Sequence, residues 1–251
     1  VWLIVGHGLA DEPPKSPQAI RVAVYDDTGV SKKLPELLGV LDEYPYLTYD
    51  RLKGADIRAG KLAEYDVVIH PGGSGSKQAK GLEEAGREQV RAFVEAGGGY
   101  LGICAGSYLA SNHYSWSLNI LDAKVIDTAH WARGHGDVQI RLTEEGKQLF
   151  KCDDLETILY YQGPLLGPAG DDDVPDYQLL ATFETEIAKN GAPKGVMKGT
   201  TAIASGAVGK GRVLCFSPHP EKTKAVNQFV GSAVRWVAGS DHGTLTQSPG
   251  L

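Results

Sequence analysis

The chain has 251 residues, with 25 lysines and arginines against 31 aspartates and glutamates, for a net charge of −6 at neutral pH. This acidic balance, with a pI near 5.7 and no run of basic residues, argues against nucleic acid or an anionic membrane as the main partner, since both reward clustered positive charge. Three cysteines (Cys104, Cys152 and Cys215) make neither a disulfide framework nor a zinc-ligand spacing, and no apolar stretch approaches the length of a membrane span.

Residues 1–5 are apolar, and Gly8-Leu9-Ala10 precedes the acidic, proline-rich Asp11-Glu12-Pro13-Pro14. Small residues before a polar start fit the tail of a secretory signal, which would carry the chain out of the cytoplasm. The same residues also fit a peripheral strand of a cytoplasmic protein, so 1–19 is set apart as an N-terminal extension with both readings open.

The β-branched, apolar run at 20–25 predicts a first strand, ending at Asp26-Asp27-Thr28-Gly29. Residues 32–41 predict a helix capped by Ser31, 47–49 a second strand, and 57–65 a short helix. Residues 66–70 read as a buried strand running into Pro71-Gly72-Gly73-Ser74-Gly75. An amphipathic helix follows over 83–95, with Val90, Phe93 and Val94 on one face, stopped by Gly97-Gly98-Gly99. Tyr100-Leu101-Gly102-Ile103 is a short buried strand, and Ser107-Tyr108-Leu109-Ala110 opens a helix. Cys104 thus falls at a strand-to-helix elbow, a geometry that exposes a nucleophile beside free helix N–H groups. Its flanking glycines permit a strained backbone and close approach of neighbouring chain.

The second half is richer in strands, expected at 124–129, 138–142, 158–161 and 179–183. A hairpin of 202–208 and 212–216 surrounds Gly209-Lys210-Gly211. A helix over 224–237 closes the pattern with an apolar stripe through Phe229, Val230, Ala233 and Val234, and 240–251 reads as a loose polar tail. Alternation of strand and helix over 20–239 indicates one α/β domain: a doubly wound, mostly parallel sheet with helices on both faces and a β-rich second half. Ligands of such sheets sit at the carboxyl ends of strands, where Pro71-Gly72-Gly73 and Cys104 both fall.

Cys104 alone would read as a small buried hydrophobe; the elbow reverses that. His219-Pro220-Glu221, directly after the strand Val213-Leu214-Cys215-Phe216, supplies the missing partners. A thiol attacks carbonyl carbon efficiently as a thiolate, and its usual activator is a histidine oriented by an acid. Glu221 can hold one imidazole nitrogen of His219 while the other faces Cys104. The Gly72-Gly73 turn, with the Ala105 N–H, could form an oxyanion hole. Ser74 to Lys77 fails the P-loop spacing, and Gly209-Lys210-Gly211 lacks the following Ser or Thr. His130, His135 and Asp137 are close enough in sequence to be metal ligands, but their context reads as a solvated loop. Tyr160-Tyr161-Gln162-Gly163-Pro164 ends a strand and either lines a pocket or makes an ordinary turn. Asp171-Asp172-Asp173 reads as a solvated loop, Cys215 as structural, and Cys152 as incidental.

Pro71-Gly72-Gly73, Gly102-Ile103-Cys104-Ala105-Gly106 and His219-Pro220-Glu221, in that order, resemble the class I glutamine amidotransferase-like superfamily. The elbow with Tyr160-Tyr161-Gln162-Gly163-Pro164 most resembles the amidotransferase-like N-terminal domain of biotin–protein ligases. The resemblance implies a flavodoxin-like α/β fold, with Cys104 as nucleophile, His219 as base and Glu221 as orienter. It also implies an oxyanion hole from Gly72, Gly73 and Ala105. Tyr108, Tyr161 and Gln162 are the expected substrate-binding residues, and neither a metal nor a cofactor is implied. One departure is plain: glutaminases of the superfamily commonly continue the elbow as Gly-x-Cys-x-Gly-x-Gln, and the last position here is Tyr108. Neither a synthetase segment to receive ammonia nor a ligase catalytic segment is present in the sequence, which leaves open a synthetase partner on a separate chain.

The leading expectation is a cysteine-dependent, amidotransferase-like hydrolase acting on a small amide or related carbonyl compound. The alternative is a ligand-binding or regulatory module on the same fold, motivated by Tyr108. A third is a relative of the cysteine-elbow peptidases and glyoxalase-like proteins, although those place an acid near the cysteine from an early strand.

Overall fold

The structure, a computed structural model, describes residues 19–239. The signal-like N-terminal segment and the polar tail lie outside the described residues.

Five parallel strands form one side of the sheet: β1 (Ile20–Tyr25), β2 (Leu47–Leu52), β3 (Val67–His70), β4 (Gly99–Ile103) and β11 (Gly211–Phe216), in the order β2-β1-β3-β4-β11. The sheet continues antiparallel through β10 (Thr201–Val208), β9 (Gln178–Phe183), β6 (His135–Leu142) and β7 (Leu155–Tyr161). A short pair, β5 (Ala123–Ile126) and β8 (Leu165–Pro168), hangs from β10. The mostly parallel core and the β-rich second half are thus as expected.

Side chains alternate across the pleat, so β1 feeds two cores. Val22 and Val24 join one face, while Ala23 and Tyr25 join the other. The first face is covered by α1 (Leu34–Asp42), α5 (Glu144–Phe150) and α6 (Gln228–Val237), through Leu37, Phe150, Phe229 and Val234. The second is covered by α2 (Gly54–Arg58), α3 (Gly75–Glu95) and α4 (Ala105–Ala110), through Ile57, Leu82, Val90 and Leu109. Each such side chain, fully buried, adds roughly 1.5–3 kcal/mol.

Several boundaries differ from expectation. α1 starts at Leu34 with Lys33 at its N-cap, and the Ser31 hydroxyl accepts instead from the Lys33 N–H at 3.2 Å, making a turn before the helix. The helix expected at 57–65 splits at Gly60 into α2 and a 3-10 turn, Lys61–Glu64. α3 begins eight residues earlier than its apolar stripe indicates, and a non-helical Glu83 (φ 60°, ψ −179°) divides it. Helix α5 and strand β8 were not expected. The closing helix is shorter, because 224–226 forms a separate 3-10 turn.

Candidate active site

β3, β4 and β11 lie side by side and end at the same edge of the sheet, so the segments that leave them meet. Pro71-Gly72-Gly73 leaves β3, Cys104 leaves β4, and Ser217 to Glu221 leave β11. Residues far apart in sequence are brought together by strand order alone.

Cys104 sits between β4 and α4 with φ 52° and ψ −95°, outside the regions open to ordinary L-residues. The surroundings over-determine this conformation. The Cys104 N–H donates to the Phe216 carbonyl at 2.8 Å, and the Ser107 hydroxyl donates to that same oxygen at 2.7 Å. The strain rests on the cysteine: neither Gly102 nor Gly106 has a positive φ, contrary to the expectation that a flanking glycine would carry it. Those glycines are needed for close approach, since a Cβ on Gly106 would lie 2.1 Å from the His70 carbonyl oxygen.

His219 is 2% exposed and its N–H donates to the Leu159 carbonyl at 2.8 Å. Its Nδ1 bonds Glu221 Oε1 at 2.7 Å, within a 3-10 turn over Pro220–Lys222. The other ring edge rests on Gly72: a Cβ there would lie 2.8 Å from His219 Cε1 and 3.9 Å from Cys104 Cβ. Burial pushes the imidazole pKa down, but the negative charges of Cys104 and Glu221 outweigh it and lift the value to about 10. His219 Nε2 has no aligned hydrogen-bond partner among the described residues. The Cys104 sulfur instead lies 3.5 Å from the Tyr161 carbonyl oxygen. Cysteine and histidine are therefore adjacent and electrostatically coupled, with no aligned hydrogen bond between them.

The glycine turn is braced from two sides. The Ser31 N–H donates to the Gly72 carbonyl (3.0 Å) and the Ser74 N–H to the Gly29 carbonyl (2.8 Å). This pairing uses the flanking groups and leaves the Gly73 N–H pointing away from the bridge. At Gly73, φ is 146° and a Cβ would meet the Gly29 oxygen at 2.0 Å, so only glycine fits. Behind it, the buried Gln78 amide donates to the Pro71 carbonyl at 2.8 Å and its Oε1 meets His70 Nδ1 at 3.1 Å. Burial pushes the His70 pKa down to about 4, so its ring is neutral and Nδ1 carries the proton. Ala105 opens α4, where its N–H belongs to the first turn and lacks an intrahelical acceptor. Sequence reasoning read His70 only as the end of a strand, and missed Gln78 because α3 was expected to begin after it.

Tyr108, on α4, donates its hydroxyl to the Gln162 carbonyl at 3.2 Å, and burial raises its pKa strongly. Gln162 takes φ 57° just after β7, turning the chain toward the cleft. The cleft, about 1440 Å³, is lined by Gly72, Gly73, Cys104, Tyr108, Tyr161, Gln162, His219 and Glu221. Tyr114, Trp116 and Trp131 extend it, and sequence reasoning did not single them out. The lysines Lys33, Lys77, Lys222 and Lys224 stand along the same cleft.

His130, His135 and Asp137 do not assemble. His130 bonds Asp127 at 2.5 Å, His135 stacks on Tyr161 with ring centres 4.9 Å apart, and no group of three His, Cys, Asp or Glu residues suited to a metal occurs among the described residues. Cys215 is buried in β11, and burial pushes its thiol up to about 12. Cys152 is half-buried, and burial with Glu156 and Asp153 nearby pushes it up to about 11.

Residues 62–132 match the family described as biotin-protein ligase, N terminal. That span carries the glycine turn, the elbow and Tyr108, and stops before Tyr161, His219 and Glu221. A search of curated proteins finds no match. Among solved structures, PurLQS from Thermotoga maritima is similar over 87% of this chain and 99% of its own, with 15% identity and a TM-score of 0.60. A Thermoplasma acidophilum protein assigned as a GMP synthase subunit is similar over 87% of this chain and 96% of its own, with 12% identity and a TM-score of 0.57. A β-galactosidase from Bacillus circulans carries a similar segment, covering 87% of this chain and 31% of the enzyme, with 14% identity and a TM-score of 0.53. The chain has the glutamine amidotransferase-like fold.

Proposed function

We propose that this amidotransferase-like fold serves a cysteine-dependent hydrolase that cleaves an amide or related carbonyl compound. One observation carries the reading. Cys104 is held in a strained elbow beside a buried histidine whose far nitrogen is bonded to a carboxylate at 2.7 Å. Strained non-glycine backbone concentrates at functional sites, and the partners are those a thiol nucleophile needs.

The chemistry follows from the positions. Cys104, as thiolate, attacks the carbonyl carbon and forms a C–S bond, and the carbonyl oxygen takes the negative charge. The Gly73 and Ala105 N–H groups receive that charge. His219, protonated and steadied by Glu221, gives its proton to the leaving nitrogen as the C–N bond breaks and amine or ammonia departs. Water then attacks the thioester while His219 takes its proton. The acid leaves, and the proton on His219 balances the regenerated thiolate. Rotation of the thiol from the Tyr161 carbonyl toward Nε2 of a neutral His219 passes the thiol proton to the imidazole, so that the thiolate and the protonated histidine form together before attack.

The test is treatment of folded protein with a glutamine-mimicking electrophile and with 2-chloroacetamide, followed by peptide mapping. Adduct on Cys104, lost in Cys104→Ala, is expected. Adduct confined to Cys152, or none, contradicts the reading.

A second reading has its own observation. Tyr108 takes the place where glutaminases commonly carry Gln, and its buried hydroxyl is already bonded to Gln162. A binding module on this fold would show thermal stabilisation by amides that survives Cys104→Ala, without hydrolysis of any amide in a panel.

A further inference from the structure

Among the described residues, three large hydrophobic side chains are exposed: Trp131 (56%), Tyr161 (46%) and Leu155 (41%). Two of the three, Trp131 and Tyr161, line the cleft that holds Cys104. Aromatic surface left in water beside a nucleophile points to a ligand that covers it.

The Trp131 loop and the Tyr161 ring are both held in place. Trp131 follows a 3-10 turn, Thr128–His130, whose preceding residue Asp127 binds the His130 ring at 2.5 Å and the guanidinium of Arg133 at 2.5 Å. Arg133 is 1% exposed, so it nails the far side of the Trp131 loop into the protein. Asn190 adds a bond to the Ala132 carbonyl at 2.8 Å, and the Lys189 N–H one to the Arg133 carbonyl at 2.9 Å. Tyr161 ends β7 opposite His135 and stacks on it. Its own carbonyl is the one that meets the Cys104 thiol. One residue thus contacts the sulfur through its backbone, lines the cleft and leaves nearly half its surface exposed. Fixed aromatic faces bind flat groups with little entropy loss.

The cleft, about 1440 Å³, also exceeds the roughly 300–1,000 Å³ of ordinary small-ligand sites. Resting on the hydrolase reading above, we infer that the substrate is an amide bearing a planar aromatic or heteroaromatic ring, which lies against Trp131 and Tyr161 while its carbonyl sits at Cys104. Free glutamine, with no ring, leaves this wall uncovered.

The test compares alkylation of Cys104 by N-benzyl-2-chloroacetamide and by 2-chloroacetamide, each rate normalised to the same reagent's rate with a free thiol. The expected ratio is at least tenfold in favour of the ring-bearing reagent, about 1.4 kcal/mol. Trp131→Ala brings the ratio below threefold and Trp131→Phe restores most of it. A ratio near one in the unaltered protein, or one indifferent to Trp131→Ala, overturns the inference. Saturation-transfer NMR with unreactive N-benzylacetamide separates the two proposals. If neither reagent labels Cys104 but N-benzylacetamide binds in a Trp131-dependent way, the nucleophile is lost and the ring site stands. If that binding is absent as well, the ring site falls too.

Discussion

His219 has the most informative electrostatics in the molecule. Burial opposes its charge, and the negative charges of Cys104 and Glu221 reverse that, lifting its pKa from 6.5 to about 10. Because the folded value exceeds the ordinary one, the protonated imidazole favours the folded chain. That contribution is complete below pH 6.5 and is lost as the pH climbs through about 10. Two outcomes follow. In an NMR titration the His219 ring proton moves well above neutral pH in the unaltered protein and at lower pH in Cys104→Ala, where the largest raising influence is gone. Equal titration in both would separate the histidine from the cysteine. Secondly, the melting-temperature advantage over His219→Gln narrows between pH 6.5 and 10; an advantage growing with pH would reverse the sign of the coupling.

At the scale of elements, the site depends on how closely the segments approach. A Cβ on Gly72 would meet His219 Cε1 at 2.8 Å, so Gly72→Ala must displace the imidazole. Alkylation of Cys104 is expected to fall about tenfold, since small misplacements carry large kinetic costs, with only a modest change in melting temperature. An unchanged rate would mean the ring is not held against that turn. Glu83 is informative about stability alone. Its φ of 60° with ψ −179° belongs to a region open essentially only to glycine, and residues held there cost of order 1–3 kcal/mol. Glu83 also pairs with Arg58 at 3.2 Å, and any substitution removes that pair, so the clean comparison is Glu83→Gly against Glu83→Ala. The glycine variant is expected to be more stable by about 1 kcal/mol in urea unfolding; equal stability would show that the helix is relaxed at that point.

Over the whole molecule, the sequence made the sheet and the three motif-bearing strand ends legible because β-branched runs and glycine punctuation are local signals. The parallel strands β1, β3 and β4 and the β10–β11 hairpin fall close to their expected bounds. What was illegible depended on tertiary contact. α3 starts at Gly75 because its first turns pack Gln78, Ala79 and Leu82 against the sheet, although Gly75, Gly81 and Gly86 weaken any local helical signal. α5 did carry a readable start, Thr143 followed by Glu144 and Glu145, and the Thr143 hydroxyl accepts the Gly146 N–H at 3.2 Å. In the site, Cys104, His219, Glu221, Gly72 and Gly73 could be picked out as motif residues. Tyr161 stood out within Tyr160-Tyr161-Gln162-Gly163-Pro164, although its carbonyl contact with the cysteine depends on tertiary structure; the Gln78 brace and Trp131 could not be picked out, because nothing local distinguishes them. The fold itself does not name a reaction, since a β-galactosidase carries a similar segment.

The central claim, that His219 activates Cys104, is tested most directly by the alkylation rates of all three cysteines at pH 7, measured by mass spectrometry in the folded protein and in His219→Ala. Cys152 is more exposed than Cys104, yet its thiol is pushed up to about 11, and buried Cys215 is pushed up to about 12. The account predicts that Cys104 reacts first despite being only 5% exposed, and that His219→Ala slows it at least tenfold while leaving Cys152 unchanged. Cys152 reacting ahead of Cys104, or a Cys104 rate indifferent to His219, would contradict it.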